Sequence, residues 1–247
     1  MKVDMDDVSL AAKLAQTAGE LLVMLQMSGL FDGKALGNAG DRVANGFLME
    51  ALKALRPDDG VLSEEEGADS ARLAKSRVWI IDPLDGTREY GEHRTDWAVH
   101  VALAVDGRPV IGAVALPGRG LVLRSDTARA KADRPARPRM LVSRTRPPVE
   151  AERIAELLGA DLVPMGSAGA KAMAVVLDEG DIYLHAGGQF EWDNCAPAAV
   201  ALGAGLHASR IDGSPLMYNC SDPKLPDLLI CTRDLAPTVL DAVARSA

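Results

Sequence analysis

The feature that most constrains this sequence is an apolar strand that ends in two carboxylates and a hydroxyl. Residues 79–87 read Trp-Ile-Ile-Asp-Pro-Leu-Asp-Gly-Thr. The proline stiffens the turn, and Gly86 supplies the backbone freedom that lets Thr87 fold back toward Asp82 and Asp85. Hard divalent cations such as Mg²⁺ select oxygen ligands of this kind. The segment therefore predicts a metal site at a strand end, and a Pro-Gly turn with solvated acids is the simpler alternative.

Two further segments carry acidic residues beside predicted elements. Three glutamates at 64–66 follow a turn at 57–60, and Asp193 and Asn194 precede a run of small residues at 198–205. Taken alone, the glutamates indicate a solvated surface, and Asp193 or Asn194 indicates the N-cap of a helix. The second and third glutamates are expected to face solvent, because a metal site needs only one carboxylate from this segment.

Apolar periodicity in the first half predicts two helices followed by a meander of strands. Apolar residues recur at helical spacing over residues 8–28 and again from Asp41 to Arg56, where Pro57 ends the pattern. Short apolar segments predict strands at residues 78–82, 97–105, 110–116 and 121–124. This half is therefore predicted to be an α+β structure.

In the second half, predicted strands and helices alternate. The strands are expected at residues 140–143, 161–164, 181–185 and 228–232, and the helices at 149–158, 169–178, 194–202 and 235–244. Such α/β alternation predicts a mostly parallel sheet covered by helices. Residues 127–139 mix charges with prolines and lack apolar periodicity, so we place a domain boundary there. The expected units are a metal-binding half, residues 1–130, and a half that completes the active site, residues 139–247.

Charge and cysteine content restrict the partners and the compartment. The 247 residues contain 27 Lys and Arg against 35 Asp and Glu, a net charge of -8, which argues against a nucleic-acid polymer as partner. The three cysteines form no CxxC pair, so neither a disulfide framework nor a zinc site is predicted, and a reducing cytoplasm is expected. Residues 1–7 lack the order of a secretory signal, and no apolar run is expected to span a membrane.

The order of these segments resembles the inositol monophosphatase superfamily of metal-dependent, lithium-sensitive phosphatases. The family's strand-end motif, Asp-Pro-Leu/Ile-Asp-Gly-Thr, is matched in full by residues 82–87. Its upstream glutamate matches Glu64, its Trp-Asp pair matches residues 192–193, and its acid ahead of the second helix matches Asp41. Residues 88–90, Arg-Glu-Tyr, are closer to the CysQ-like branch, which hydrolyses 3′-phosphoadenosine 5′-phosphate.

The resemblance implies a layered αβαβα sandwich with two or three Mg²⁺ ions between its halves. Glu64, Asp82 and the backbone carbonyl of Leu84 would hold the first ion, which binds the nucleophilic water. Asp82, Asp85 and Asp193 would hold the second ion beside the leaving oxygen, and a weaker third ion would lie near Glu64. A shared Asp82 suits two metal ions about 3.5 to 4 Å apart.

The resemblance also implies catalytic and substrate-binding roles. Thr87 and Asp41 are similar to the family's water-activating pair, although Asp41 could instead cap the second helix and Thr87 could close a turn. Residues 166–171 resemble a substrate-side loop whose N–H groups approach phosphate oxygens. Lys171 could reach a second phosphate or stay solvated, and His185 stands where nucleotide-cleaving relatives tend to carry arginine. The expected substrate-binding residues are Gly86, Thr87, Ser167, Lys171 and His185.

Other hydrolase classes fit the sequence less well. Phosphatases that form an aspartyl-phosphate need Asp-x-Asp-Gly-Thr, and Pro83 stands where their nucleophilic aspartate would be. Water is therefore the expected nucleophile. No Gly-x-Ser-x-Gly motif occurs, and the four histidines are expected to be core or surface residues rather than catalytic bases.

The predicted function is a Mg²⁺-dependent phosphomonoesterase that converts 3′-phosphoadenosine 5′-phosphate to AMP and phosphate, and so clears a by-product of sulfate assimilation. One alternative is a phosphatase acting on inositol 1-phosphate or fructose 1,6-bisphosphate. Another is a metal-binding scaffold without activity. The expected partner is a small phosphate ester rather than a membrane, and a homodimer is compatible with the sequence.

Overall fold

Helices and strands alternate in layers along the part of the chain that the computed structural model describes, residues 5–67, 69–129, 137–145 and 147–246. The helices are α1 (Asp7–Met27), α2 (Gly33–Leu55), α3 (Thr87–Gly91), α4 (Val149–Leu158), α5 (Ala168–Val176), α6 (Glu191–Gly203) and α7 (Ala236–Ser246). The strands are β1 (Gly60–Ser63), β2 (Arg77–Asp85), β3 (Ala98–Val105), β4 (Arg108–Leu116), β5 (Leu121–Arg124), β6 (Arg139–Ser143), β7 (Asp161–Met165), β8 (Ile182–Phe190), β9 (His207–Ser209) and β10 (Lys224–Cys231). Each predicted helix and strand is present, and α3, β1 and β9 were not predicted.

Five layers of helices and strands pack around three apolar cores among the described residues. In the first core, α1 and α2 pack on one face of a sheet formed by β1 to β5. In the second core, α5 and α6 lie between this sheet and a second sheet formed by β6 to β10. In the third core, α4 and α7 cover the outer face of the second sheet. This order confirms the predicted αβαβα sandwich.

Helix α1 is apolar enough, by length and composition, to cross a membrane. This finding differs from the expectation that no apolar run in the sequence would do so. The core helix of a water-soluble protein passes the same test. Leu10, Leu14, Ala18 and Leu22 are buried in the first core, where α1 packs on β3 and β4. The apolar face of α1 therefore has a packing role in this fold.

Strand β2 places acidic residues between the first sheet and helices α5 and α6. It pairs with β1 in parallel and with β3 in antiparallel orientation. Trp79 and Ile81 lie in the core with α1 and α2, and Val78 and Ile80 lie in the core with α5 and α6. Because side chains alternate along a strand, Asp82 follows Val78 and Ile80 toward the middle layer.

The second sheet is mixed rather than mostly parallel. Its order is β7-β6-β8-β10-β9. Strand β6 is parallel to β7 and β8, whereas β10 is antiparallel to both β8 and β9. The prediction of a mostly parallel sheet is therefore wrong. A connection made of one helix would have kept the neighbouring strands parallel. Here β9 and residues 210–223 follow α6, and they carry the chain back along the strand direction before β10 begins. Strand β10 therefore runs antiparallel to β8.

Helix α2 begins at Gly33, not at Asp41 as predicted. Asp32 caps it, and the Asp32 Oδ1 atom accepts a hydrogen bond from the Gly33 N–H at 2.8 Å. Asp41 therefore lies inside the helix, and the alternative in which it caps α2 is wrong. The first turns contain several glycines, which have low helix propensity and obscured the pattern. Leu36 is nevertheless fully buried and continues the apolar face.

Two of the glycines in α2 allow a close approach of α3. A Cβ atom at Gly37 would lie 2.6 Å from Thr87 Cγ2, and one at Gly40 would lie 2.8 Å from the Tyr90 ring. Contacts this short do not occur between real side chains, so larger residues would push α3 away from α2. The glycines therefore bring Thr87 against α2 near Asp41.

The predicted domain boundary falls partly outside the described residues. Of the segment 127–139, residues 130–136 are not described. Strand β5 ends before this segment and β6 begins at its end. Helices α5 and α6, which follow it, share a core with the first sheet. The division into units 1–130 and 139–247 stays a prediction.

The packing of α6 on β4 depends on Gly112. A Cβ atom there would lie 2.5 Å from the Ala196 carbonyl oxygen and 2.8 Å from Ala199 Cβ. Gly112→Ala is expected to lower the free energy of unfolding by about 1–3 kcal/mol, the usual cost of overpacking. Denaturant unfolding measures this loss. Gly46→Ala, at an exposed position of α2 with free space around it, should instead stabilise by about 0.5–1 kcal/mol. A Gly112→Ala protein as stable as the wild type would contradict the contact.

Candidate active site

Three carboxylates converge where β2 meets α6. Asp82 and Asp85 lie at the end of β2, and Asp193 lies in the first turn of α6. Each offers one oxygen atom, and these atoms lie within 4.8 Å of one another. Asp82 and Asp85 are buried, and Asp193 is partly buried. Oxygen ligands at this spacing could hold a divalent cation between the three side chains.

The carboxylates raise one another's pKa. Burial raises the pKa of Asp82 well above its ordinary value, and the charges of Glu64, Asp85 and Asp193 raise it further. Burial and Asp193 raise the pKa of Glu64 to about 7. Although much of Glu64 is exposed, its carboxyl group is close enough to the carboxyl group of Asp82 for each to affect the pKa of the other. Burial and Asp85 raise the pKa of Asp193 to about 6. Because a cation would offset this repulsion, the donor set fits a hard divalent metal.

Asp85 differs from the other acids because hydrogen-bond donors surround it. Its carboxylate accepts hydrogen bonds from Ser167 Oγ at 2.5 Å, Gly169 N at 2.6 Å and Ala168 N at 3.1 Å. His100 Nε2 lies 3.3 Å from Asp85 Oδ2. Burial alone would raise the pKa of Asp85, but the contacts with His100 and Ser167 lower it to about 2. Asp85 is therefore ionised and held at the N-terminus of α5.

The loop before α5 is organised around Asp85. Ser167 has φ 56° and ψ 140°, a backbone conformation that costs about 1–3 kcal/mol. Its Oγ atom donates to Asp85 and accepts from Ala170 N at 2.9 Å. The expectation that N–H groups of residues 166–171 approach a phosphate is therefore wrong for the first two N–H groups of α5, because both point at Asp85. A substrate contact by Ser167 stays a prediction.

Helix α6 begins earlier than predicted. Its N-cap is Phe190, and Asp193 Oδ2 accepts a hydrogen bond from Phe190 N at 2.6 Å. Neither Asp193 nor Asn194 is the N-cap, so that alternative is wrong. Asn194 is instead fully buried: its Nδ2 donates to Gln189 Oε1 at 3.1 Å, and its Oδ1 accepts from the Tyr218 hydroxyl at 2.8 Å. These bonds hold the first turn of α6 in place.

Thr87 and Asp41 meet across α3 and α2. Thr87 Oγ1 lies 3.3 Å from Asp41 Oδ1 and 3.2 Å from the Leu84 carbonyl oxygen. Gly86 makes this possible with a φ of 92°, in the left-handed region that favours glycine. Burial and the charge of Glu65 raise the pKa of Asp41 to about 7. An acid with a pKa near neutrality beside a hydroxyl group can accept a proton through it.

The second and third glutamates after β1 lie at the surface, as expected. Glu65 and Glu66 are both exposed. Glu66 Oε1 accepts a hydrogen bond from Asn45 Nδ2 at 2.8 Å, and Asn45 Oδ1 accepts one from Ser63 Oγ at 2.8 Å. Glu66 therefore ties the end of β1 to α2.

A cavity of about 250 Å³ opens beside Thr87. Lys171 is 5% exposed, so the alternative of a solvated lysine is wrong. Its Nζ atom donates to the Ser167 carbonyl oxygen and lies 5.3 Å from the centre of the Tyr183 ring. The lining residues are Gly86, Thr87, Arg88, Glu89, Ser143, Arg144, Thr145, Gly166, Ser167 and Lys171.

His185 does not line this cavity. Its Nε2 atom lies 2.7 Å from the Gly187 carbonyl oxygen, and burial lowers its pKa. A contact between His185 and substrate stays a prediction without support from this geometry. Arg144, which the sequence did not point to, lines the cavity and donates to Glu89 and Glu92, each at 2.9 Å.

His100 is a second residue that sequence reasoning missed. The ring is fully buried and lies in β3 opposite Asp82 of β2. A signal was present, since a histidine interrupts an otherwise apolar strand over residues 98–104. Residues two apart on a strand share a face, so His100 could have been assigned to the same face as Ala98 and Ala102. Which layer that face packs against could not be predicted from the strand alone.

Comparison with known proteins identifies relatives that match most of this chain. A model of the inositol monophosphatase family matches residues 7–244. A 3′-phosphoadenosine 5′-phosphate phosphatase of Mycobacterium leprae is 53% identical over 257 aligned residues, covering 98% of this chain and 95% of the relative. The protein of that name in Mycobacterium tuberculosis is 55% identical over 238 residues, covering 92% and 89%.

A solved structure shows the same likeness. The crystal structure of CysQ from Bacteroides thetaiotaomicron superimposes with a TM-score of 0.77 at 25% identity, covering 91% of this chain and 96% of that chain. Its layered fold and the family match span both sheets of this protein. From the fold, the acidic cluster and these matches together, the chain belongs to the inositol monophosphatase family.

Proposed function

We propose that this protein is a Mg²⁺-dependent phosphatase that removes the 3′-phosphate of 3′-phosphoadenosine 5′-phosphate, giving AMP and inorganic phosphate. The observation that carries the proposal is the cluster of Asp82, Asp85 and Asp193 beside the Thr87–Asp41 pair. The relatives at 53% and 55% identity bear the name of this activity. A metal-binding scaffold would have no need of a proton acceptor, so the pair favours an enzyme.

The acidic side chains and one carbonyl supply two sets of metal ligands. Glu64, Asp82 and the Leu84 carbonyl would hold one Mg²⁺, and Asp82, Asp85 and Asp193 would hold a second. When bound, Mg²⁺ supplies an activated water, neutralises phosphoryl oxygens and stabilises the leaving oxygen. The all-oxygen donor set supports Mg²⁺ over softer metals.

Thr87 and Asp41 would move the proton. The Thr87 hydroxyl can donate to Asp41 Oδ1, 3.3 Å away, and accept a hydrogen bond from a water molecule at the same time. A proton released by that water is then passed to Asp41. Its partial burial keeps the pKa of Asp41 near 7, so the carboxylate can take up the proton at neutral pH.

The cavity beside Thr87 would take the nucleotide. Lys171 places a buried ammonium group in its wall, and the ammonium contacts a carbonyl oxygen and an aromatic ring. A second phosphate would compensate for the lost hydration of this group. Substrates with one phosphate, such as inositol 1-phosphate, could not do so. This difference supports the nucleotide over inositol 1-phosphate.

A panel of phosphate esters tests the proposal. With Mg²⁺ present, kcat/KM for 3′-phosphoadenosine 5′-phosphate should exceed that for inositol 1-phosphate and fructose 1,6-bisphosphate by more than about tenfold, or about 1.4 kcal/mol. The extra stabilisation comes from groups remote from the reacting phosphate. AMP, which lacks the 3′-phosphate, serves as a negative control. A preference for inositol 1-phosphate would replace the proposal with the sugar phosphatase.

Lys171→Met is expected to raise KM for 3′-phosphoadenosine 5′-phosphate by about 10- to 100-fold, the equivalent of about 1.5–3 kcal/mol for a hydrogen bond to a charged group. Turnover of inositol 1-phosphate should change little. Lys53→Met, at an exposed position of α2, is the matched control. An equal fall in kcat for both substrates would contradict this role and indicate that Lys171 supports the Ser167 loop instead.

The thiols are consistent with a reducing compartment. Cys195 and Cys231 are buried, Cys220 is exposed, and all three are free. Since free thiols persist where glutathione and thioredoxin keep them reduced, we place the protein in the cytoplasm.

A further inference from the structure

His100 lies between the two elements that carry Asp85 and Asp193. Its Nε2 atom lies 3.3 Å from Asp85 Oδ2, and its Nδ1 atom lies 3.0 Å from the backbone oxygen of Trp192. Trp192 immediately precedes Asp193 in α6. In the sheet, His100 is paired with Asp82. The imidazole ring therefore contacts Asp85 and the residue before Asp193, and His100 is the strand partner of Asp82.

The ring is confined on several sides. A Cβ atom at Gly169 would overlap with His100 Nε2, so only glycine fits at that position of α5. On the other side of β3, the strand β4 places the buried Val114 opposite His100. The close approach of Gly169 leaves no room for the ring to move toward α5 without a change in the backbone. This limits the movement of Nε2 relative to Asp85.

Packing alone does not explain a histidine here. The other residues of this core on β3 are small and apolar: Ala98, Ala102 and Ala104. Among the described residues, Nε2 has no hydrogen bond of normal geometry, and its ion-pair contact is Asp85. Burying a polar atom without full compensation costs about 1–3 kcal/mol, so an apolar side chain would serve the core better. The position of the ring beside the acidic cluster points to a role there.

We propose that His100 is a positioning residue that fixes the separation of Asp85 and Asp193 for a bound divalent cation. The inference rests on the proposed metal-dependent function. Asp85 belongs to the first sheet and Asp193 to the middle helical layer, so the distance between them depends on how the two layers pack. The ring spans this boundary and contacts a group from each layer. Without it, both ligands would lose a shared rigid support.

Metal affinity is the property that this role should change. Removing a group that orients metal ligands typically weakens binding by about 10- to 100-fold. His100→Leu keeps an apolar side chain in the core but removes both polar contacts. His100→Asn keeps one short polar group and should have an intermediate effect. The dissociation constant of Mn²⁺, a spectroscopic substitute for Mg²⁺, can be measured by calorimetry and electron paramagnetic resonance without any turnover.

Val114→Ala is the matched control, because it removes volume from the same core beside His100 without touching a polar group. We expect His100→Leu to weaken Mn²⁺ binding by about 10- to 100-fold, and Val114→Ala to lower the melting temperature with unchanged Mn²⁺ binding. Mn²⁺ affinity of His100→Leu within twofold of the wild type, or an equal loss in Val114→Ala, would overturn the inference. If His100→Leu does not fold, His100→Asn is judged by the same criterion. A wild-type protein that binds no Mn²⁺ would instead overturn the proposed function.

Discussion

Asp82→Asn is expected to reduce Mg²⁺-dependent turnover by about 10³-fold or more. The variant removes the carboxylate shared by both proposed metal ions, and metal ions supply several kcal/mol of transition-state stabilisation, with about 1.36 kcal/mol for each tenfold in rate. In metal-free buffer the same change should stabilise the fold, because Asp82 is buried beside Glu64, Asp85 and Asp193 and their charges repel it. A gain of about 1 kcal/mol would raise the melting temperature by about 2–4 °C. Phosphate release and thermal unfolding in a chelator measure the two effects.

A loss of turnover together with a gain in metal-free stability distinguishes a metal ligand from an acidic residue that only stabilises the fold. Asn can still accept the hydrogen bond that Asp82 Oδ1 receives from Leu84 N at 3.0 Å, so the turn should persist. Asp241→Asn, at an exposed position on α7 with a 2.9 Å ion pair to Arg245, is the control and should change neither quantity by much. Wild-type turnover in Asp82→Asn, or a lower melting temperature without metal, would refute the assignment.

Asp41→Asn is expected to lower kcat by about 10²- to 10⁴-fold, the usual contribution of a general base. Asn cannot accept a proton, but it can keep the 3.3 Å contact with the Thr87 hydroxyl. The dissociation constant of Mn²⁺ and KM should therefore stay close to those of the wild type. Single-turnover rates with saturating substrate measure the chemical step directly.

Variants of Thr87 distinguish a role of its hydroxyl group in proton transfer from a role in packing alone. Thr87→Ser keeps the hydroxyl group and should retain much of the activity, whereas Thr87→Val keeps the shape and should lose about as much as Asp41→Asn. If Asp41→Asn binds metal poorly but turns over normally at saturating Mg²⁺, the residue is a metal ligand and not a proton acceptor. Equal activity of Thr87→Ser and Thr87→Val would exclude the hydroxyl from the pathway.

Several parts of the fold could be predicted from local patterns. The strand that carries Asp82 and Asp85 is marked by an apolar run and a Pro-Gly turn, and its type and position were predicted close to the structure. Helix α4 was predicted with the observed ends at Val149 and Leu158. These signals lie within a few residues of one another, because they reflect side-chain alternation and helix periodicity.

Other features depend on contacts between distant segments. The start of α2 was missed because Gly37 and Gly40 lower helix propensity. These glycines allow Thr87 and Tyr90 to pack closely against α2, and this contact between distant segments cannot be predicted from the local sequence. The antiparallel β10 was missed because strand direction depends on the path of the connection after α6 and not on the strand's composition. The residues proposed as metal ligands could be named from a family resemblance, but their spacing could not.

By itself, the sequence determined which chemical groups are present and which local elements carry them: carboxylates at a strand end and at the start of a small-residue helix, with a threonine and a glycine between. Tertiary structure alone decided that Asp85 accepts hydrogen bonds from the α5 N-terminus, that Lys171 is buried in a cavity wall, and that His100 contacts both layers of the cluster. The physical reason is that propensities and alternation act over a few residues, whereas burial and ion pairing depend on which distant layers come into contact.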